Sequence, residues 1–182
     1  KEEHILPLLE HGHLHFGENK IQESIDKWSS LKKKYPKIYL HFIGKLQTNK
    51  VKFAVKLFDY IHSVDNSRLA KKIVDESLKI NRNIKTFIQV NIGGEDQKSG
   101  VSKNNLKDLV AYCNSINLNL IGLMCIPPAN IDPSNYFKEM QKLNKDSGLS
   151  ELSMGMSSDY LIAAKNFSTF VRIGSGIFGK RY

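Results

Sequence analysis

The sequence predicts an α/β fold, a (β/α)8 or TIM-type barrel, and three observations carry this prediction. Strand-like apolar segments alternate with helical patterns in units of about 25 residues that are joined by short connections. The strand segments are nearly continuous apolar runs, which is typical of parallel strands covered on both faces. Glycines and small polar residues gather directly after these segments, where barrels of this class build their sites.

Seven segments are predicted as strands, because each is apolar or β-branched and stops near a turn residue. They cover residues 14–17, 38–43, 60–64, 86–90, 120–126, 152–156 and 170–173. Between them apolar side chains repeat at helical spacing, and a further helix is predicted over residues 2–11. The segment 65–67 and Ser102 are predicted helix caps, and Gly148 is a predicted helix stop.

A closed barrel of this class needs eight strands, and a helix at the very start needs a strand before it. We therefore expect the first strand to precede Lys1, so that residues 1–182 form a single barrel domain that lacks its first strand in this chain. A doubly wound open sheet is the alternative, although that fold has no special need of an eighth strand.

The composition limits the classes of partner. The formal net charge is +9, but the lysines are scattered and no aromatic–basic motif is present, so nucleic acid is not expected. The positive field favours a small phosphorylated anion instead. Cys113 and Cys125 show no disulfide or zinc spacing, which predicts reduced thiols and a cytoplasmic location. No apolar stretch is long enough to span a bilayer, so no membrane association is expected.

The strongest candidate site lies near the C-terminus. The predicted strand 170–173 stops at Gly-Ser-Gly (174–176), where small residues allow a helix to begin close to the strand and to present backbone N–H groups to a phosphate. The preceding strand ends similarly in Met-Gly-Met-Ser-Ser (154–158). Two successive units of this kind are similar to the phosphate site that barrels build after their last two strands. A plain strand-to-helix turn is the alternative for either unit alone.

Three further side chains are candidates for a ligand site. Arg172 lies on the same side of the last strand as Phe170 and Gly174. A buried arginine is rare unless paired, so it either forms an ion pair with a barrel carboxylate or lies beneath a bound ring or anion. Asn19 follows the first predicted strand and either hydrogen-bonds a ligand or caps a helix. His41 either borders the ligand or is a core histidine.

Metal chemistry is not expected. The spacing of His11, His13 and His15 resembles that of three metal ligands. However, Gly12 and a turn into a strand lie between them, which argues against a shared metal ion. The strand ends also lack the paired carboxylates of a glycosidase and any histidine–carboxylate cluster at metal-ligand spacing.

Several motifs together resemble one family, the pyridoxal phosphate homeostasis proteins, across essentially the whole chain. The motifs are HFGEN (15–19), HFIGKLQTNK (41–50), IHSVD (61–65), QVNI (89–92), GLMCIPP (122–128), LSMGMS (152–157) and VRIGSGIFG (171–179). The resemblance implies a single-domain (β/α)8 barrel similar to the N-terminal domain of bacterial alanine racemase. It also implies pyridoxal 5′-phosphate as cofactor, held as a Schiff base on a lysine at the end of strand one.

The resemblance also assigns roles to residues at matching positions. It implies that Ser157 and the backbone of Gly174 and Ser175 hold the phosphate. It implies that Arg172 faces the pyridine nitrogen. The remaining residues that it places around the ring are Asn19, Met124 and His41.

The Schiff-base lysine is the one departure from the family pattern. Phe16 follows Lys1 too closely for the family's spacing, so the expected lysine precedes this sequence. The alternative is that Lys1 is itself that lysine. Lys20, Lys45 and Lys50 are poor substitutes, because they match other motifs or lie on following helices.

The arginine decides between a carrier and an enzyme. A guanidinium opposite the pyridine nitrogen keeps that nitrogen unprotonated and weakens the ring as an electron sink. A racemase also needs a second acid or base, which alanine racemase takes from an additional β-domain, and none is expected here because Tyr182 closely follows the phosphate loop. We therefore predict a protein that binds pyridoxal phosphate and buffers or carries it inside the cell without turnover of its own.

The sequence is also compatible with two other functions. The alternative is a pyridoxal phosphate enzyme of low activity, a racemase or lyase. A third reading is a barrel enzyme that acts on a phosphorylated intermediate. For the carrier, the expected partners are the cofactor and apo-enzymes that receive it, and the expected state is a monomer or weak dimer.

Overall fold

A computed structural model describes residues 2–95 and 97–179 of the chain. Lys1, the alternative Schiff-base lysine, and Tyr182 lie outside the described residues. The strands are β1 (His15–Glu18), β2 (Tyr39–Phe42), β3 (Tyr60–Val64), β4 (Lys85–Val90), β5 (Leu120–Cys125), β6 (Glu151–Met156) and β7 (Phe170–Arg172). The helices are α1 (Leu6–Glu10), α2 (Ile21–Lys34), α3 (Val51–Leu57), α4 (Ser67–Lys79), α5 (Lys103–Ser115), α6 (Ser134–Asp146), α7 (Tyr160–Lys165) and α8 (Ser175–Phe178).

The strands form one parallel sheet in the order β1-β2-β3-β4-β5-β6-β7. Side chains of strands that are not neighbours meet inside its curve. His62 Nδ1 on β3 lies 2.8 Å from Ser153 Oγ on β6, and the rings of His15 on β1 and Phe170 on β7 are 6.3 Å apart. The sheet is therefore a nearly closed barrel, as predicted. A doubly wound sheet would reverse its strand order at a switch point, and this order has none.

The apolar core has two parts. The larger part fills the space between the sheet and the helices, and its largest fully buried side chains include Trp28, Phe42, Phe58 and Phe137. The smaller part lies inside the barrel and contains Tyr60, Phe87 and Met124, with Phe170 packed against it. Every residue of β3 is buried, as a strand covered on both faces requires.

Local chemistry sets the helix boundaries. The Asn66 amide oxygen and the Ser102 hydroxyl each accept a hydrogen bond from an N–H in the first turn of a helix, which confirms both predicted caps. The helix predicted over residues 2–11 is instead a 3-10 turn (Glu2–His4) followed by α1. Pro7 explains the break, because a residue without an N–H fits only the first turn of a helix.

Glu18 ties the end of β1 to α2. Its Oε1 accepts hydrogen bonds from Trp28 Nε1 at 2.8 Å and from Lys27 Nζ at 2.7 Å. A half-buried carboxylate needs such partners. Glu18 therefore fixes the position of β1 and is not free for chemistry.

Both cysteines are free and buried. Burial raises the pKa of the Cys113 thiol to about 11 and that of Cys125 to about 12, so both are neutral thiols. Within residues 2–95 and 97–179, no helix combines the length and the apolar character that crossing a bilayer requires.

Candidate functional site

The turns that follow β6 and β7 meet at Ser157. The Ser157 hydroxyl oxygen accepts hydrogen bonds from the backbone N–H groups of Gly174 and Gly176, both at 3.2 Å. Both glycines are exposed, so an oxygen of a ligand can approach the same N–H groups. The two N–H groups and the Ser157 hydroxyl form a cluster of donors of the kind that binds phosphate.

The turn after β6 holds Ser157 in place. Asp159 Oδ1 accepts a hydrogen bond from Met156 N at 2.5 Å, and Asp159 N donates to Met156 O at 3.1 Å. Gly155 has a φ of +93°, and a Cβ there would lie 2.5 Å from the Cβ of Ala163 on α7. Glycine is therefore what allows α7 to pack so close to β6 at the edge of the donor cluster.

Arg172 ends β7 on the inner side of the barrel, as strand alternation predicts. Its Nη1 donates to Ser153 Oγ at 2.8 Å, and its Nη2 donates to the Cys125 carbonyl at 2.7 Å. Neither partner is a carboxylate, so the ion pair weighed from the sequence is not what holds this side chain. Burial lowers the pKa of the guanidinium, although it stays charged at neutral pH. Its remaining N–H groups can serve a ligand.

His41 is bonded to a histidine on each side. Its Nε2 lies 2.9 Å from His15 Nδ1, and its Nδ1 lies 2.9 Å from His62 Nε2. Burial lowers the pKa of His41 to about 3 and the pKa of His62 well below its ordinary value, so both rings are neutral at pH 7. The structure places His41 in the barrel interior, two side chains away from Arg172 rather than in contact with it.

Met124 is buried in the barrel, whereas Ser175 is exposed at its surface. Met124 is fully buried in the barrel interior with Tyr60 and Phe87, and it is the register partner of Ser153, which accepts from Arg172. Ser175 is exposed and opens α8, directly after Gly174. Contact of either residue with a ligand stays a prediction.

Asn19 is exposed at the end of β1, where a Cβ on Gly44 would lie 2.2 Å from the Asn19 carbonyl oxygen. It borders a cavity of about 270 Å³ that is lined by Asn19, Lys20, Ile21, Gln22, Phe42, Lys45, Gln47, Lys50 and Phe53. Neither Ser157 nor Arg172 lines this cavity. The structure thus brings Ser157 and Gly174 together, and it places Asn19 at the border of this cavity.

His15, His41 and His62 lie in a row inside the barrel. Within the part of the chain that the structure describes, no group of three or more histidine, cysteine or acidic side chains is arranged to hold a metal ion. His15, His41 and His62 use their inward-facing ring nitrogens on each other or on a hydroxyl.

Sequence reasoning did not single out Ser153 or His62, although both fall within motifs that it quoted. Each is the third residue of its strand, as His41 is in β2. Strand alternation could have placed all three on inward faces. It could not have shown that they touch, because β3 and β6 are brought together only by the curvature of the sheet.

The chain is similar over most of its length to known proteins. The family described as alanine racemase, N-terminal domain, matches residues 3–182. The pyridoxal phosphate homeostasis protein of Aquifex aeolicus is 40% identical over 176 residues, which cover 91% of this chain and 76% of that protein. The chain belongs to the pyridoxal phosphate homeostasis protein family. The family member from Vibrio cholerae is 36% identical and covers 98% of this chain and 80% of its own length.

Solved structures share the barrel fold of this chain. PipY of Synechococcus elongatus, without pyridoxal phosphate, has a TM-score of 0.89 at 32% identity, covering 97% of this chain and 87% of that one. PipY with pyridoxal phosphate bound has a TM-score of 0.87 at 30% identity, covering 96% and 86%. Alanine racemase of Clostridium difficile shares the fold, with a TM-score of 0.72 at 15% identity, covering 99% of this chain and 48% of that one. The resemblance stated from the motifs is confirmed.

Proposed function

We propose that this member of the pyridoxal phosphate homeostasis family binds pyridoxal 5′-phosphate and acts as an intracellular carrier or buffer of it, without turnover of its own. One observation carries the proposal. The donor cluster at Ser157 and the guanidinium of Arg172 stand at the ends of two neighbouring strands. A phosphate and a ring nitrogen of one ligand can therefore be bound together. PipY, a member of the family, has been solved with pyridoxal phosphate bound, which supports this choice of ligand.

The residues present fit a phosphorylated pyridine. The Ser157 hydroxyl and the backbone of Gly174 and Ser175 would hold phosphate oxygens. The space beside Gly174 is open, since no atom lies within 4 Å of the position a Cβ would take there. Arg172 would face the pyridine nitrogen, because its Nη1 and Nη2 are anchored on Ser153 and on a backbone carbonyl at the mouth of the barrel.

The other predicted site residues would act from farther away. We propose that Met124 supports the ring from beneath, next to Ser153 in the sheet register. His41 would act through its hydrogen bonds rather than by contact. Asn19 would approach from the end of β1, and the lysine of the Schiff base is proposed to precede Lys1 or to be Lys1.

The same residues favour retention over turnover. When bound, pyridoxal phosphate supplies an electron sink for carbanions through its ring. Arg172 works against that use, because a charged guanidinium keeps the ring nitrogen it faces unprotonated. His41 and His62 are buried and hydrogen-bonded within the barrel, so neither is placed as a general acid or base at the open face.

We propose the cytoplasm as the location and apo-enzymes that use pyridoxal phosphate as the recipients. The buried, reduced thiols Cys113 and Cys125 are typical of a reducing compartment. We further propose a single barrel domain over residues 1–182 that acts as a monomer or weak dimer.

Titration of the chain with two ligands tests the proposal. Pyridoxal 5′-phosphate carries phosphate, ring and aldehyde, and pyridoxine 5′-phosphate is a matched ligand without the aldehyde. We expect both to bind. In a protein that includes the strand expected before Lys1, we expect borohydride to fix only pyridoxal phosphate, on one lysine that mass spectrometry then identifies. Failure of both phosphate esters to bind would show that the proposed function is wrong.

A further inference from the structure

Three imidazoles and one hydroxyl form a continuous hydrogen-bonded chain through the barrel, which we call the histidine chain. It contains His15, His41, His62 and Ser153, with contacts of 2.9, 2.9 and 2.8 Å between successive side chains. His15 is exposed at the first residue of β1, whereas Ser153 is fully buried and accepts from Arg172 at 2.8 Å. The histidine chain therefore runs from the first residue of β1, at the N-terminal end of the barrel, to the guanidinium at the end of β7.

Aromatic rings enclose the histidine chain. A ring from the following strand stacks on each imidazole at centroid distances of 5.0, 4.1 and 4.2 Å, the pairs being His15–Tyr39, His41–Tyr60 and His62–Phe87. Phe170 of β7 lies across the barrel, 5.4 Å from His41 and 5.9 Å from His62. One face of each imidazole is thus stacked on an aromatic ring, while the ring nitrogens bond to each other.

Arg172 sets the direction of the histidine chain. A guanidinium can only donate, so Ser153 Oγ must accept from it. The Ser153 hydroxyl hydrogen then has His62 Nδ1 as its acceptor, at 2.8 Å. His62 Nδ1 is thereby unprotonated, and its hydrogen must lie on Nε2, from which it bonds to His41. The same step repeats from His41 Nε2 to His15 Nδ1.

We propose that His62 and His41 are positioning residues for Arg172, and that they act as neutral Nε2–H tautomers which hold the Ser153 lone pair toward the guanidinium. This proposal rests on the proposed function, because it assigns a purpose to the orientation of Arg172. With the lone pair fixed, Arg172 presents its remaining N–H groups at one angle to the ring nitrogen of a phosphorylated pyridine. The reverse order would leave the Ser153 hydrogen without an acceptor.

Burial, and after it the neighbouring charges, lowers the pKa values of the imidazoles in the histidine chain. His13, Lys85 and Arg172 lower the pKa values of one or more of its imidazoles, in addition to burial, and Asp59 alone acts in the opposite sense, on His41. A proton that enters the histidine chain at His15 has one ring nitrogen to take. That proton must take Nδ1, the atom that accepts from His41, so it would break the order from the outer end.

Nitrogen NMR of the unloaded chain labelled with ¹⁵N-histidine tests the tautomers directly. We expect His41 and His62 both to carry hydrogen on Nε2 at pH 8, with scalar couplings across the two N–H···N bonds. Hydrogen on Nδ1 of either ring would overturn the proposed order. This measurement needs no ligand and no variant, so it is decisive even where a substitution impairs folding.

A matched pair of serine variants tests the positioning role. Ser153→Ala removes the acceptor of Arg172, and Ser63→Ala removes a buried hydroxyl that has no partner among the described residues. We expect Ser153→Ala to lower the affinity for pyridoxine 5′-phosphate about tenfold and to leave the affinity for inorganic phosphate unchanged. Ser63→Ala should change neither affinity. Equal loss for both ligands, or no loss, would overturn the positioning role.

The outcomes separate the two proposals. Suppose that pyridoxine 5′-phosphate binds, but the tautomers differ from those stated or Ser153→Ala does not lower its affinity selectively over that of inorganic phosphate. The positioning role then fails and the proposed function stands. If neither phosphate ester binds the unmodified chain, the proposed function fails whatever the tautomers are.

Discussion

Arg172 on β7 donates a hydrogen bond to Ser153 on β6 across 2.8 Å, and this bond joins the candidate ligand site to the barrel interior. A buried guanidinium ordinarily takes a carboxylate partner. Here its two partners are a hydroxyl and a carbonyl, so its positive charge is not neutralised. The mouth of the barrel therefore keeps an attraction for anions at its inner wall.

Ser157→Ala should weaken the binding of pyridoxal phosphate by about 1–3 kcal/mol, because a charged phosphate loses one donor of its cluster. Equilibrium dialysis measures the affinity, and thermal unfolding checks that the fold persists. Ser158→Ala is the matched control, since Ser158 is the adjacent serine and is exposed. Equal affinities of the two variants would remove Ser157 from the phosphate site.

Two glycine-to-alanine variants should differ in stability. Gly155→Ala should lower the free energy of unfolding by about 1–3 kcal/mol, because its φ is +93° and its Cβ would meet Ala163 at 2.5 Å. Gly174→Ala should leave the stability within about 0.5 kcal/mol, since its Cβ would meet nothing within 4 Å.

The same two variants should also differ in their affinity for the ligand. Gly174→Ala places a methyl group in the open space where a phosphate would lie, so the affinity for pyridoxine 5′-phosphate should fall by about tenfold. Urea unfolding and ligand titration of both proteins measure the two effects. An unaltered affinity in Gly174→Ala would show that the phosphate lies elsewhere.

Acid should destabilise the fold through His41. Its pKa falls from 6.5 to about 3 in the folded state, so between these values the unfolded chain binds a proton that the folded chain does not. The stability that neutral His41 contributes is fully present above pH 6.5 and is lost as the pH falls toward about 3. From pH 7 to pH 4 the loss is about 3 kcal/mol at roughly 1.4 kcal/mol per pKa unit.

Urea unfolding at pH 7 and pH 4 measures this loss. His41→Gln should be less stable than the unsubstituted chain at pH 7, because the glutamine breaks the bonds to His15 and His62. It should lose less stability on acidification, because glutamine does not titrate. The same loss in both proteins would assign the acid sensitivity to other groups.

The loaded protein should not interconvert the enantiomers of alanine. Arg172 leaves the ring a poor electron sink, and the buried histidines offer no second acid or base at the open face. Chiral chromatography after incubation with either enantiomer makes the measurement. A turnover number in the usual enzyme range, about 1–10³ s⁻¹, would favour the racemase alternative instead.

Local signals made much of the fold predictable. The capping oxygens of Asn66 and Ser102 start helices wherever the chain carries them, because they satisfy N–H groups of their own first turn. The small residues around Gly174 likewise predict a turn at that strand end. The inward direction of Arg172 followed from the period of two in a strand.

The hydrogen-bond partners of the site residues could not be predicted from local sequence signals. Arg172 bonds to Cys125 and Ser153, which are 47 and 19 positions away, and only the register of three strands brings them together. His41 was predicted as a single residue, because nothing in one sequence indicates that His62 continues its hydrogen bonding. The position of Asn19 beside a lysine-lined cavity depends in the same way on how two helices pack.

Trp28 is the only tryptophan of the sequence, and its indole is fully buried on α2 with its N–H on Glu18, at the end of β1. Tryptophan emission therefore arises from one known place, the seam between the first described strand and the helix that follows it. In the absence of ligand, a red shift of this emission would report solvent entry around Trp28. The chain thus carries its own optical probe, and local opening beside Asn19 can be followed without any label.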